Sequence, residues 1–383
     1  MVNSTGFLFF SAFSTFDFME NNQRPSRILE LDLLRVLAMF LVVTYHFGME
    51  YRANGFDVAN FLCVTVNYDF GNVAVTLFLL LSGALLFRKY SDSSVGSLKK
   101  FYAARARAIY PPFWIMNLYV VFSLVRHFVS DGTPFFAGNP LKLLLTVTGF
   151  DGYVRMFGFE NYYFCGDWFI GGIILLYLLF PLLVWTYKKC RMLLLAILAV
   201  GYGLQYLLVT SVHLSLDFRT VFSILPFTLM LKFVLGFCVM EGLPILRKKW
   251  VVALALAYVL LVSFVDLPGL LNLDFLGTLC GLSLFPIILF AGSRLLKNNV
   301  LQKGIAFLAP MAYCVFLIQH VAINWSLLGL GKMFARLGWN VNAWNGFALL
   351  AMTMAIIFIA AWCLKFLSDR LTAHLPFSIL SKK

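Results

Sequence analysis

The sequence contains little charge and especially few acidic residues. Only 12% of its 383 residues are charged and 61% are hydrophobic, whereas about a quarter of the residues in soluble domains are charged. This composition excludes a water-soluble globular enzyme and a disordered chain. Thirty basic residues outnumber 17 acidic ones and give a net charge of +13. In a membrane protein this excess indicates basic cytoplasmic loops rather than a nucleic-acid partner.

Patterns of metal-binding and disulfide chemistry are also missing. The seven cysteines form no CxxC pair and lie mostly in apolar runs, so we expect no zinc site, no other metal and no disulfide framework. Residues 1–18 contain no Lys or Arg and therefore lack the basic region of a signal peptide. We assign residues 1–26 to an N-terminal extension and expect Met19 to be the true start. The alternative is an amphipathic segment lying on the membrane.

Long apolar runs dominate the rest of the chain. Continuous runs predict helices rather than the alternating strands of a membrane barrel, and a helix needs about 20 apolar residues to cross a bilayer. We predict an all-α polytopic membrane helix bundle with about ten transmembrane helices, a membrane domain over residues 27–370 and a tail over residues 371–383. The predicted spans are Leu31–Tyr51, Phe70–Phe87, Ile109–Val129, Trp168–Tyr187, Met192–Val209, Val221–Met240, Val251–Val265, Leu273–Gly292, Ile305–Leu330 and Asn345–Leu367. Leu141–Thr148 is too short to cross and is predicted to be an interfacial or re-entrant helix.

The basic residues orient these spans. With the N-terminus in the cytoplasm, 21 of the 30 Lys and Arg residues fall in segments inside the cell and seven fall outside. Short cytoplasmic loops are enriched in Lys and Arg. Both termini are therefore predicted to be cytoplasmic.

Arg35 and His46 are the most informative polar residues, because both lie in the first span. They are eleven residues apart, which at about 100° and 1.5 Å per residue places them on one helix face and roughly 16 Å apart. Arg35 near the cytoplasmic end could hold phosphate, and Asp32 one turn earlier could orient it. His46 could take a proton from an attacking hydroxyl. Alternatively, Arg35 reaches the interface and His46 bonds a neighbouring helix.

The stretch LDLLRVLAMFLVVTYH, which contains Asp32, Arg35 and His46, resembles the opening signature of acyltransferase family 3. Its members are integral-membrane acyltransferases that modify bacterial surface and exported glycans. Four further blocks resemble the family and occur in its order: FGNVAVTLFLLLSGALLF, FYAARARAIYPPFW, GDWFIGGIILLYLLFPLL and AYCVFLIQH.

The resemblance implies roles for individual residues. It makes His46 the general base, Asp32 an orienting residue, and three arginines contacts for the acyl-CoA donor: Arg35, Arg105 and Arg107. It also implies substrate-binding positions at Trp168, Tyr177 and Gln319.

Two positions depart from the family's pattern. Arg107 is displaced by one residue from the expected basic position. The family's late His aligns with Gln319, so His320 is not expected to be catalytic.

The implied activity is transfer of an acyl group, expected to be acetyl, from cytosolic acyl-CoA to a hydroxyl of a cell-surface or lipid-linked glycan. The expected location is the bacterial plasma membrane, with lipid around the helices. A proton-coupled transporter or flippase of a glycan, lipid or small solute is the alternative function, since a buried His and Arg suit transport as well. A sensory or interaction module is a third class.

Three other polar residues leave alternatives open. Asp167 and Glu160 could bind sugar hydroxyls or could simply be solvated. Lys232 lies near the middle of a span and could bind donor phosphate or a glycan group, or pair with an acid. Glu241 on the same helix is too distant to pair with it, so a pairing partner is expected on another span.

Overall fold

The computed structural model describes residues 27–53, 63–90, 98–165, 167–211, 218–267, 273–338 and 343–374. Within these ranges the chain is almost entirely helical, and the single β feature is one antiparallel bridge between Val64 and Asp69. The all-α prediction is confirmed. Helices satisfy their own backbone hydrogen bonds, as hydrocarbon surroundings demand. The N-terminal extension lies outside the described residues, and the last helix runs to His374, past the predicted start of the tail.

The α-helices are, in order, α1 Leu29–Ala53, α2 Phe70–Tyr90, α3 Leu98–Asp131, α4 Leu143–Thr148, α5 Asp151–Arg155, α6 Asp167–Ser211, α7 Phe218–Ile224, α8 Pro226–Glu241, α9 Leu243–Leu246, α10 Lys249–Phe264, α11 Leu273–Leu295, α12 Asn299–Leu308, α13 Ala312–Ser326, α14 Lys332–Arg336 and α15 Ala343–His374. In the described part of the chain, seven helical segments are long and apolar enough to cross a membrane. The number ten and the side on which the termini lie stay predictions.

Two helices differ in extent from the predicted spans. The third helix begins at Leu98 rather than Ile109, because the basic segment before the span continues the helix. The predicted span Val221–Met240 is broken into α7 and α8 at Leu225, whose backbone is extended (φ −65°, ψ 146°). Leu225 precedes Pro226, and the proline ring disfavours a helical conformation in the residue before it.

The long helix α6 is two helices joined at Cys190, where the backbone is not helical (φ −146°, ψ 59°). Tyr187 and Arg191, on either side of this kink, both reach Glu241 at the end of α8. Each half of α6 also contacts the start of α8 through a residue far from the kink. Gly172 in the first half lies against Leu229, and Gln205 in the second half lies against Thr228. The chain therefore reverses direction at Cys190, as the two separate spans predicted there require.

Helices α2 and α8 approach each other closely through two glycines. A Cβ at Gly83 would collide with the backbone carbonyl of Phe233, and a Cβ at Gly236 would collide with that of Leu80. Small residues at such positions let membrane helices pack backbone against backbone. This packing places Lys232 of α8 beside α2.

Lys232 pairs with Asp274 of α11, as the expectation of a partner on another span required. Lys232 Nζ lies 2.6 Å from Asp274 Oδ1, and the two side chains are 1% and 4% exposed. The carboxylate also accepts hydrogen bonds from Asn72 (2.8 Å), Ser223 (3.0 Å) and Tyr202 (3.1 Å). One buried ion pair thus connects α2, α6, α7, α8 and α11.

Replacing Lys232 by Met should destabilise the protein by about 3–5 kcal/mol, because it leaves the buried Asp274 carboxylate without its cation. The double variant Lys232→Met, Asp274→Asn should recover most of this loss, since no uncompensated charge remains. Thermal unfolding can be followed with a thiol-reactive dye that reports exposure of the buried cysteines Cys63, Cys165, Cys280 and Cys314. The exposed Lys249→Met variant is the control, and a single Lys232 variant as stable as this control would contradict the prediction.

Candidate active site

His46, Asp167 and His320 meet although they are far apart in the sequence. The imidazole centroids of His46 and His320 are 4.2 Å apart with their planes at 61°, and His320 Nε2 lies 3.7 Å from Asp167 Oδ2. One nitrogen or carboxylate oxygen of each residue lies within 4.8 Å of the others. The side chains of His320 and Asp167 remain 28% and 22% exposed. The cluster therefore borders an accessible space and is not sealed within the core.

The backbone at the start of α6 fixes the Asp167 carboxylate. Asp167 has a φ of 47°, a left-handed conformation that Asp tolerates better than most residues. Its Oδ1 accepts a 2.7 Å hydrogen bond from the backbone N–H of Trp168, at the helix end where the macrodipole favours a negative charge. One carboxylate oxygen is thus bound to the backbone while the other faces His320.

The described segment between α3 and α6, here called the insert (residues 132–165), packs against the start of α6 beside Asp167. Its short helix α5 lies against the beginning of α6, and a Cβ added at Gly152 would lie 2.5 Å from the Asp167 carbonyl oxygen. Tyr153 in the same helix donates a 2.9 Å hydrogen bond to the Ile224 carbonyl. A larger residue at Gly152 would collide with the backbone of Asp167, which carries the carboxylate.

Asp151 is an uncompensated acid inside the insert. Its side chain is buried, and Oδ2 has no hydrogen-bond partner among the described residues. Desolvation raises the pKa of Asp151 to about 6. Burial also raises the pKa of Tyr163 and of the Cys165 thiol, so both stay neutral around pH 6 and Asp151 is the group within the insert that titrates there.

A second polar cluster surrounds Arg35 at the other end of the same helices. Arg35 Nη1 lies 3.2 Å from Asp32 Oδ1, and Arg27 Nε lies 2.5 Å from Asp32 Oδ2. Tyr177 of α6 lies within electrostatic range of Arg35. The guanidinium of Arg105 lies 5.6 Å from the centroid of the Tyr177 ring. Tyr177 therefore lies next to Arg105 and near Arg35.

Arg105 and Arg107 were both predicted to bind the donor. The Arg105 guanidinium lies over the Tyr177 ring, and its Nε is buried with no hydrogen-bond partner among the described residues. Arg107 is two residues on, about 200° around the helix, and its Nε is also buried. The role of Arg107 stays a prediction.

The remaining predicted substrate-binding residues lie beside the histidine cluster. Trp168 is 9% exposed and follows Asp167 directly. Gln319 precedes His320, is fully buried, and has no hydrogen-bond partner for either side-chain polar atom in the part of the chain that the structure describes.

Sequence analysis missed two members of this cluster. The sequence does not predict a catalytic His320, because Gln319 occupies the position of the family's late histidine. For Asp167 it leaves two interpretations open, a residue that binds sugar hydroxyls and a solvated surface residue. Both lie at the ends of the blocks GDWF and FLIQH that carry the resemblance. Their position at the limits of those blocks was the available signal.

A comparison with protein families accounts for most of the chain. A family model described as an acyltransferase domain, Acyl_transf_3, matches residues 28–364. The chain belongs to this acyltransferase family. No match was found among curated proteins or solved structures. The apolar helices and the acyltransferase domain together make the chain a multi-pass membrane protein with an acyl-transfer role, and the predicted family is confirmed.

The histidine cluster of this acyltransferase also has the composition of a metal site. His46, Asp167 and His320 supply two nitrogens and one carboxylate, a set that zinc accepts. Zinc bonds of about 2.0–2.1 Å would bring tetrahedral ligands to within roughly 3.4 Å of one another. The measured separation of 3.7 Å between His320 and Asp167 would have to shorten. The expectation of no metal stays a prediction.

Ionisation of Asp151 should weaken the insert. Because its folded pKa lies above the ordinary value of 3.8, the protonated form is stabilising at low pH, and that stability is lost as the pH rises through about 6. Between pH 5 and 8 we expect a loss on the order of 1–2 kcal/mol. Hydrogen exchange of the α4 and α5 amides, corrected for intrinsic rates, measures it. The Asp151→Asn variant should remove this dependence, and an equal dependence in both proteins would show that another group is responsible.

Proposed function

We propose that this acyltransferase moves an acyl group, expected to be acetyl, from cytosolic acyl-CoA to a hydroxyl of a cell-surface or lipid-linked glycan. The observation that carries the proposal is that α1 and the first half of α6 bring polar side chains toward each other at two levels. His46 lies near Asp167 at one level, and Arg35 lies near Tyr177 at the other. The two levels are roughly 15 Å apart along either helix, which suits a donor with phosphates at one end and a thioester at the other.

The proposed topology puts the arginine level on the cytoplasmic side. We propose ten crossings with both termini in the cytoplasm of a bacterial plasma membrane. The distribution of Lys and Arg supports this orientation, and the reversal at Cys190 supports two crossings within α6. Basic residues would then face the incoming acyl-CoA, and the histidines would lie in the outer half of the bilayer.

Arg35 and Arg105 are proposed to hold the phosphates of the donor. Guanidinium groups bind phosphate through paired, charge-assisted hydrogen bonds. Asp32 accepts from Arg35 and would keep its guanidinium in place, while the Arg105 Nε has no hydrogen-bond partner among the described residues that a phosphate oxygen would have to replace. The pantetheine arm would pass the Tyr177 ring, over which Arg105 lies.

His46 is the proposed general base. It would take the proton of the acceptor hydroxyl while that oxygen attacks the thioester carbonyl, forming the C–O bond. The C–S bond then breaks, and the leaving sulfur receives the proton from His46 to give coenzyme A. The Asp167 carboxylate would stabilise the imidazolium formed between these steps. A covalent acyl-His intermediate is the other route open to the same residue.

His320 is proposed as a positioning residue. Its ring lies across that of His46 and its Nε2 faces Asp167, so it can fix the orientation of both groups. Gln319 and Trp168, which flank this cluster, are proposed to contact the acyl group or the acceptor.

The His46→Gln variant should lose about 10²–10⁴-fold in acyl transfer, the usual contribution of a positioned general base. Donor affinity should stay unchanged, because the phosphates bind at the arginine level. Purified protein in liposomes with labelled acetyl-CoA measures both quantities. His374→Gln is the control, since His374 is the last residue of α15 and is assigned no role in binding or catalysis. Undiminished turnover in a folded His46 variant would refute its role, and solute counterflow without acetyl-CoA turnover in the wild type would favour a transporter.

The Arg35→Ala and Arg105→Ala variants should each raise the KM for acetyl-CoA about 10- to 100-fold, the value of one or two charged hydrogen bonds. The KM for the acetyl thioester of N-acetylcysteamine should barely change, since that donor carries no phosphate. The exposed Lys303→Gln variant serves as the control for lost positive charge. An equal loss with both donors would mean that the arginines act on the fold and not on the phosphates.

A further inference from the structure

The insert carries an open groove that the proposed chemistry does not use. It encloses about 460 Å³, within the range of roughly 300–1,000 Å³ typical of small-molecule sites. Its lining residues are Phe136, Ala137, Arg155, Gly158, Phe159, Glu160 and Asn161.

Two phenylalanines give the groove exposed aromatic surfaces. Phe136 is 44% exposed and Phe159 is 62% exposed. Phe136 is held in place by neighbours, because it stacks on His127 at 4.6 Å and meets the Tyr162 ring edge-on at 5.0 Å. The negative face of an aromatic ring attracts the weakly positive C–H groups of a sugar ring.

The same groove offers charged hydrogen-bonding groups. Arg155 and Glu160 are both exposed, and neither forms an ion pair with another described residue. The Arg155 guanidinium lies 5.3 Å from the centroid of the Tyr163 ring, which holds it on one side of the groove. A guanidinium donates and a carboxylate accepts hydrogen bonds, so together they match sugar hydroxyls. A lipid chain would need neither group.

The groove is connected to the histidine cluster through a short piece of chain. Asn161 Nδ2 donates a 2.7 Å hydrogen bond to the backbone carbonyl of Asp151, and the next residue, Gly152, contacts the backbone of Asp167. A ligand in the groove would therefore lie on the segment that positions the catalytic carboxylate.

We propose that this groove binds the acceptor glycan, with one sugar ring packed on Phe136 and Phe159 and its hydroxyls bound by Arg155 and Glu160. A neighbouring sugar then presents its hydroxyl to His46. This inference rests on the proposed function, because it presumes a glycan acceptor that approaches from the side of the insert.

The test measures glycan labelling by the full-length protein in liposomes. The donor is radiolabelled acetyl-CoA, and the acceptor is the polysaccharide fraction extracted from cells that lack the protein. The Phe136→Ala, Phe159→Ala and Arg155→Gln variants should each raise the glycan concentration needed for half-maximal labelling at least tenfold. The half-saturating concentration of acetyl-CoA should not change.

Two matched controls separate glycan binding from other roles of the insert. Phe135→Ala removes an exposed phenylalanine of the insert that does not line the groove. Arg126→Gln removes an exposed arginine outside the groove. Both should label like the wild type. If Phe135→Ala has the same effect as Phe159→Ala, the phenylalanines anchor the insert in the membrane and the inference is wrong.

The remaining outcomes distinguish this inference from the proposed function. If the wild type labels glycan and all three groove variants reach half-maximal labelling at the same glycan concentration, the groove does not bind the acceptor. The proposal that the acceptor is a glycan would then still hold. No labelling by the wild type, with acetyl-CoA still consumed, would overturn the glycan acceptor and the groove together.

Discussion

A charged side chain is stable in hydrocarbon only beside a partner or an accessible space, and this constraint organises the bundle. Lys232 and Asp274 satisfy it by pairing across helices, and the pair is possible because Gly83 and Gly236 let α2 and α8 pack backbone to backbone. Hydrogen bonds to the carboxylate bring further helices to the same point. The bundle therefore contains a buried polar centre, and two of the three helices that carry the histidine cluster, α1 and α6, pack against the helices of that centre.

The same constraint explains why the polar residues form two separate clusters. Arg35 is balanced by Asp32 on its own helix, whereas His46 finds Asp167 and His320 on two others. The insert adds the outer boundary, since its short helices hold the first turn of α6 in place. The two clusters therefore lie at separate levels along α1, and the insert lies beside the cluster that contains Asp167.

Local pattern predicted the helices well and their interruptions less well. The run of apolar residues around Pro226 reads as one span, but the proline changes the backbone of the residue before it. The predicted break near Cys190 was right, because Lys188, Lys189 and Arg191 interrupt the apolar run there. Helix ends depend on a few residues whose effect is overridden or reinforced by packing.

Composition and helical periodicity are local properties, so they predict the membrane class, the family and the shared face of Arg35 and His46. Which residues meet across helices depends on tertiary packing. Lys232 could have paired with any acid on another span, and His320 gave no local sign of contact with His46. Such pairs depend on how closely two helix backbones approach each other and on where the insert fixes Asp167. Neither property can be predicted from the residues of a single helix.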